Sequence, residues 1–93
     1  MSAVHRCSHV VVDEHGRTYA AVIHGRRAPS GLHEGWIEFR PDDGGEPLVT
    51  DVETTQPDRK ALEYWAAGLE ALYLEGAFTR ALRHDVARPG ARR

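Results

Sequence analysis

His5, Cys7 and His9 are spaced two residues apart, and an extended backbone sends all three side chains to one face, about 7 Å apart at each step. Two imidazoles and a thiolate supply three of the four donors of a tetrahedral zinc or copper site, with water or a distant side chain as the fourth. Strong zinc signatures pair two ligand doublets, whereas His15, His24 and His33 stand singly here. The spacing therefore permits a metal without demanding one. It reads equally as a short arm in which Cys7 is a small buried apolar group. Asp51 and Glu53 form the second candidate. Alternation places them on one strand face, where His24 or Glu38 would complete an acid cluster fit for magnesium or for acid–base work. The ordinary alternative is a solvated face with Arg17 or Arg40 opposite as an ion pair. No side chain stands at a recognisable nucleophile turn, and Asp42-Asp43-Gly44-Gly45 leads into a strand rather than cradling phosphates ahead of a helix. No cofactor is expected, and an enzyme is the less favoured reading.

Arg26 and Arg27, with the terminal Arg88, Arg92 and Arg93, make a basic candidate, and Trp36 or Tyr19 on the sheet would stack on bases. A formal charge of −2, and the acids Glu38, Asp51 and Glu53 on the same sheet, oppose a phosphate backbone. Nucleic acid is not the expected partner. All but one of the twelve basic residues are arginine, scattered through every segment, which reads as coding bias.

The elements that position these residues follow from pattern. Residues 1–8 are polar and without apolar repetition, which predicts a flexible N-terminal arm or, as the alternative, the ragged start of a strand. Residues 9–12 are β-branched, and Asp13-Glu14-His15-Gly16 then supplies a hairpin turn with glycine at the left-handed position. The return strand over 17–25 sets Tyr19, Ala21 and Ile23 on one face and Thr18, Ala20, Val22 and His24 on the other, as a central strand requires. After a loop broken by Pro29, Gly31 and Gly35, residues 36–41 alternate again, with Ile37 and Phe39 inward. Two prolines enclose the next turn, and alternation over 48–54 predicts a fourth strand.

Pro57 suits a first helical position, and Thr55 with Asp58 reads as a capping pair, so Thr55 or Gln56 is the expected cap. At 100° per residue, Leu62, Trp65, Ala66, Leu69, Leu72 and Tyr73 share one stripe with Gly76, while Tyr64, Ala67, Ala71, Leu74 and Phe78 gather opposite. One sheet covers one stripe. The second predicts an interaction surface for a second copy, as a dimer, or for another protein. Gly68 and Gly76 each weaken a helix, and a break at either would fold the last turns back.

The run Glu53-Thr54-Thr55-Gln56-Pro57, then Tyr64-Trp65-Ala66, Gly68-Leu69-Glu70 and Tyr73-Leu74-Glu75-Gly76-Ala77, with Gly35-Trp36-Ile37-Glu38-Phe39 upstream, resembles a group of short bacterial proteins of unassigned function. The resemblance covers about residues 17–82. It implies a bacterial, cytoplasmic protein and carries no activity or catalytic residue.

A length of 93 residues bounds the answer to one domain with a single sheet-on-helix core. The lone Cys7 forms no internal disulfide and fits a reducing cytoplasm. The longest apolar run of the first half, residues 20–23, falls far short of the ~20 a bilayer needs, so no membrane is expected. The expected protein is α+β: an antiparallel meander of three to four strands packed by a long C-terminal helix, continuous or broken near Gly68 or Gly76. Its domain spans 9–85, a disordered basic tail occupies 86–93, and its expected role is a non-catalytic protein-interaction module. The competing role is a metal-dependent protein or enzyme using His5, Cys7, His9 or the acids Asp51 and Glu53.

Overall fold

The computed structural model describes residues 2–87. Five strands precede two helices: β1 Ser2–Val12, β2 Thr18–Arg27, β3 His33–Pro41, β4 Leu48–Val49, β5 Thr54–Gln56, α1 Arg59–Ala67 and α2 Ala71–Ala87. The sheet is antiparallel, ordered β1-β2-β3, with β4 and β5 both pairing along the far side of β3. Helices pack on one side of it, giving the α+β architecture that the alternating pattern predicts. The basic tail lies outside the described residues beyond Ala87.

Local chemistry builds the hairpins. Asp13 Oδ1 accepts hydrogen bonds from the backbone N–H groups of His15 and Arg17, both at 2.9 Å, and Gly16 takes φ 82°, so the β1–β2 turn closes on side-chain acceptors as well as backbone. The first correction concerns what precedes it. Residues 2–8 are strand, not arm: Ser2 pairs with Gly25, Ala3 with His24 and His5 with Ile23. Register shifts between Ala3 and His5, and between Arg6 and Val10, bulge β1, and that irregularity is why its sequence shows no clean alternation. The second correction concerns 48–54, which is two short strands rather than one. Thr50 is buried, its hydroxyl accepts the Ile37 N–H at 3.0 Å, and its own N–H donates to the Ile37 carbonyl at 2.9 Å. A side chain has replaced a rung of the ladder, and the chain bends at Asp51.

Tyr19, Ala21, Ile23, Ile37 and Phe39 form the helix-facing floor as alternation requires, all buried. At one end of that floor Gly25 and Gly35 are register partners on adjacent strands. Leu62 of α1 fills the slot they leave. A Cβ built on Gly25 would stand 2.5 Å from one Leu62 methyl, and one on Gly35 2.6 Å from the other. Both prongs of the leucine are engaged, so it cannot swing aside from either.

The helical region departs from a single rod. Pro57 biases Gln56 to extended backbone, so β5 runs on to Gln56 and the cap moves to Asp58, whose Oδ1 accepts the Ala61 N–H at 2.8 Å. α1 stops at Gly68, whose N–H donates to the carbonyls of both Tyr64 and Trp65. The chain then restarts as α2 in a new phase. α1 buries Leu62 and Ala66 from the first stripe, whereas α2 buries Leu74, Ala77, Phe78 and Ala81. Phe78 packs against Tyr19 at 4.8 Å and edge-on to Phe39 at 5.2 Å between centroids. Leu74 and Phe78, read from periodicity as outward interaction residues, are therefore core. Tyr64, Ala67 and Ala71 remain exposed, joined by Leu72 from the other stripe.

Replacing Leu62 by alanine is expected to cost about 2–5 kcal/mol in urea unfolding, and Gly25→Ala about 1–3 kcal/mol. In the Leu62→Ala background only Val4 Cγ2, 2.9 Å away, still crowds the added methyl, so Gly25→Ala there should cost less; simple additivity would dissolve the slot argument. Gly76 is exposed inside α2, and a Cβ there meets only Arg80 Nη1 at an ordinary 3.6 Å. Gly76→Ala should accordingly raise stability by about 0.5–1 kcal/mol, with a measured loss counting against a continuous α2.

Candidate functional site

The side of the sheet away from the helices carries the densest polar chemistry. His24, on β2, is buried there although no layer formed by the described residues covers that side. Its cover is local. Trp36, its register partner, stacks against it at 5.9 Å between centroids with 21° between planes, and the Arg26 guanidinium lies 5.3 Å from the indole centroid. His24 donates through Nε2 to Glu38 Oε1 at 2.7 Å, and Arg40 Nε donates to the same oxygen at 2.9 Å. Arg26 Nε donates to Glu34 Oε1 at 2.8 Å. Burial alone would raise the Glu38 carboxyl, but the hydrogen bonds from His24 and Arg40 outweigh it and hold the group below its ordinary range.

A carboxylate-oriented imidazole is half of a general-base device. The remaining nitrogen, Nδ1, is buried and has no hydrogen-bond partner among the described residues. The oxygen that orients the ring is shared with a permanent cation. The cluster therefore ties β2 to β3 across the open side of the sheet.

The candidates read from sequence are dispersed. His5, Cys7 and His9 lie on β1, and the register shift that follows Arg6 breaks the even alternation that would have aligned them. Among the described residues no group of three or more His, Cys, Asp or Glu side chains is placed to hold a metal ion. Burial also pushes the Cys7 thiol up, away from the thiolate a metal needs. Asp51 and Glu53 part company at the bend. Asp51 is exposed, with its Oδ1 accepting the Val52 N–H, and borders a recess of about 150 Å³ beside Arg26 and Trp36. Glu53 faces the helices instead. Arg26 is neutralised by Glu34 and Arg27 lies exposed near the β2–β3 tip, so the two do not act as one basic patch; the terminal arginines lie outside the described residues.

Glu53 is the centre of a cluster that alternation did not foresee. Tyr73 Oη donates to Glu53 Oε1 at 2.6 Å, and Arg80 donates to both carboxylate oxygens, through Nε at 3.2 Å and through Nη2. The guanidinium lies 5.5 Å from the Tyr73 ring centroid, while Trp65 meets the same ring edge-on at 6.1 Å. Burial, then the hydrogen bond to Glu53, push the Tyr73 phenol up to about 12, so it stays protonated and acts as a donor. Tyr73 and Arg80 are seven residues apart, two turns on one helix face, and that spacing was the available signal. The cluster clasps α2 to the β4–β5 link. His84 adds a bond from Nδ1 to the Val49 carbonyl at 3.1 Å.

No protein-family model matches this sequence, and neither the curated proteins nor the solved structures yield a match, so function rests on the geometry above. Among the described residues no helix is long and apolar enough to cross a membrane.

Glu38 gives a pH test. Its carboxyl ionises more readily in the folded chain than at its ordinary 4.5, so the folded state gains from ionisation above that value and loses the gain as acid protonates the group. The stability gap between the wild type and Glu38→Gln should be present near about pH 6 and shrink towards about pH 3. A gap that widens in acid would contradict the paired geometry.

Proposed function

We propose that this domain is a non-catalytic protein-interaction module that self-associates through the corner between α1 and α2. The observation that carries this is exposure after the core is full. Tyr64 is 84% and Leu72 80% exposed, with the exposed Ala67 and Ala71 between them in the chain, while Leu62, Leu74 and Phe78 already fill the helix-facing side of the sheet. Large apolar side chains left this exposed favour burial against another surface. The break at Gly68 brings them to the turn of the helical pair, and covering them requires no rearrangement of the core. The inaccessible His24 nitrogen and the dispersed acids support a binding role over a catalytic one. A cytoplasmic location accompanies this reading, because the single Cys7 has no internal partner and gains nothing from an oxidising compartment. A bacterial origin rests on the resemblance of the block from Glu53 to Ala77.

Light scattering of the purified chain should give a mass above that of the monomer. The double variant Tyr64→Asp, Leu72→Asp should be monomeric with an unchanged circular dichroism spectrum, since neither side chain contributes to the core. A wild type that stays monomeric at high concentration removes this reading.

A further inference from the structure

The two ends of the sheet carry opposite charge. An antiparallel meander puts the β1–β2 and β3–β4 turns at one end and the β2–β3 loop at the other. At the first end the turns touch: Asp42 N–H donates to the Thr18 carbonyl at 3.0 Å, and Arg17 Nε donates to Asp43 Oδ2 at 2.9 Å. Residues 13–17 and 42–46 hold five acids against Arg17, and Arg17 is already committed to Asp43. At the opposite end β2 finishes with Arg26 and Arg27, and no acid follows before Glu34, which takes Arg26. Arg27 is exposed and makes no ion pair among the described residues. Beside it in the loop, Leu32 is 43% exposed, with its carbonyl accepting the Ala28 N–H at 2.7 Å, so a cation and an apolar side chain share one tight tip.

The acidic end has a matching receptacle. Where the end of β1 passes α2 there is an open cleft of about 840 Å³ with Val12, Phe78 and Leu82 in its lining, and with Asp13, Glu14 and Glu75 around it, His15 standing 3.7 Å from Glu14. Val12 is 59% and Leu82 42% exposed. Asp13 is held by the turn it caps, while Glu75 makes no ion pair among the described residues and is open to a cation. An apolar lining ringed by acids takes a ligand with an apolar body and a positive charge beside it. The β2–β3 tip of this same chain has that chemistry.

We propose that the Arg27 and Leu32 tip of one copy seats in the acid-ringed cleft between β1 and α2 of the next, so that copies add head to tail. The two surfaces differ and lie at opposite ends of one molecule, so head-to-tail copies make a heterologous contact that leaves a free tip at one end and a free cleft at the other. Opposite charges steer the encounter and make it weaken with salt. This surface is separate from the α1–α2 corner, so either can fail without the other.

The test is therefore run in the Tyr64→Asp, Leu72→Asp background, by sedimentation velocity over a range of concentration and salt. That parent should form species growing past the dimer with concentration and shrinking as salt rises. Leu32→Asp spoils the tip, and Val12→Asn with Leu82→Asn takes the apolar lining from the cleft without adding charge; all three side chains are exposed, and circular dichroism checks that each variant folds. Each alone should be monomeric. An equimolar mixture should give a one-to-one complex that grows no further, because only the tip of the Val12→Asn, Leu82→Asn copy and the cleft of the Leu32→Asp copy remain competent. A parent that is monomeric throughout, a dimer indifferent to both sets of substitutions, or a mixture that stays monomeric overturns the proposal. So does a monomeric parent whose cleft takes a free arginine-leucine peptide, which would assign the cleft to a foreign basic segment.

Discussion

Leu62 seated between Gly25 and Gly35 is the contact on which the arrangement of the helices depends. A forked side chain filling a slot made by two missing side chains fixes both the distance and the rotation of α1 over β2 and β3. Elsewhere a helix meets a sheet through many interchangeable contacts, and a neighbouring methyl shifts to absorb a change. Here backbone comes to within a leucine's width of α1, and any side chain on either glycine occupies space the leucine already holds. With α1 fixed, the position of Gly68 is fixed, and so is the point from which α2 sets out.

The second consequence is a division of labour between apolar and polar contacts. α1 is seated by the slot and capped by Asp58, whereas α2 lies over the aromatic floor of Tyr19 and Phe39 and is held at its flank by Glu53 through Tyr73 and Arg80. Apolar packing against small residues such as Ala77 and Ala81 permits sliding along the helix axis. A carboxylate bonded by two groups two turns apart does not, so the clasp sets the register that the alanines leave open. On the other side of the sheet the His24, Glu38 and Arg40 cluster does the same for β2 against β3, with Trp36 shielding the imidazole.

The strands and the tight turns were readable because their signals are local. Period-two alternation identifies Tyr19, Ala21, Ile23, Ile37 and Phe39 as core without knowledge of their neighbours, and Asp13 with Gly16 announces its own turn. What escaped depends on phase or on pairing. Counting 100° per residue across Gly68 assumes one axis, and a break resets the count, which turned Leu74 and Phe78 from core into supposed surface. The irregularity of β1 hid a strand behind polar residues, and the Thr50 hydroxyl split another. The glycine slot was within reach: a loop centred on residue 30 pairs position 25 with 35, but only a committed register makes two scattered glycines into one feature. Among candidate sites, alternation assumed unbroken over 48–54 grouped Asp51 with Glu53, and the bend between them sent one to solvent and the other to the helices.

The bulges of β1 carry a protective consequence. As the outermost strand it leaves one row of backbone groups without a neighbour, and eleven residues in even phase would offer a foreign strand a ready template. Two interruptions of phase cut that row into short pieces pointing in different directions, each too brief to nucleate stacking into fibres. The same kinks that spoiled the alignment of His5, Cys7 and His9 thus keep this small sheet from growing at its margin.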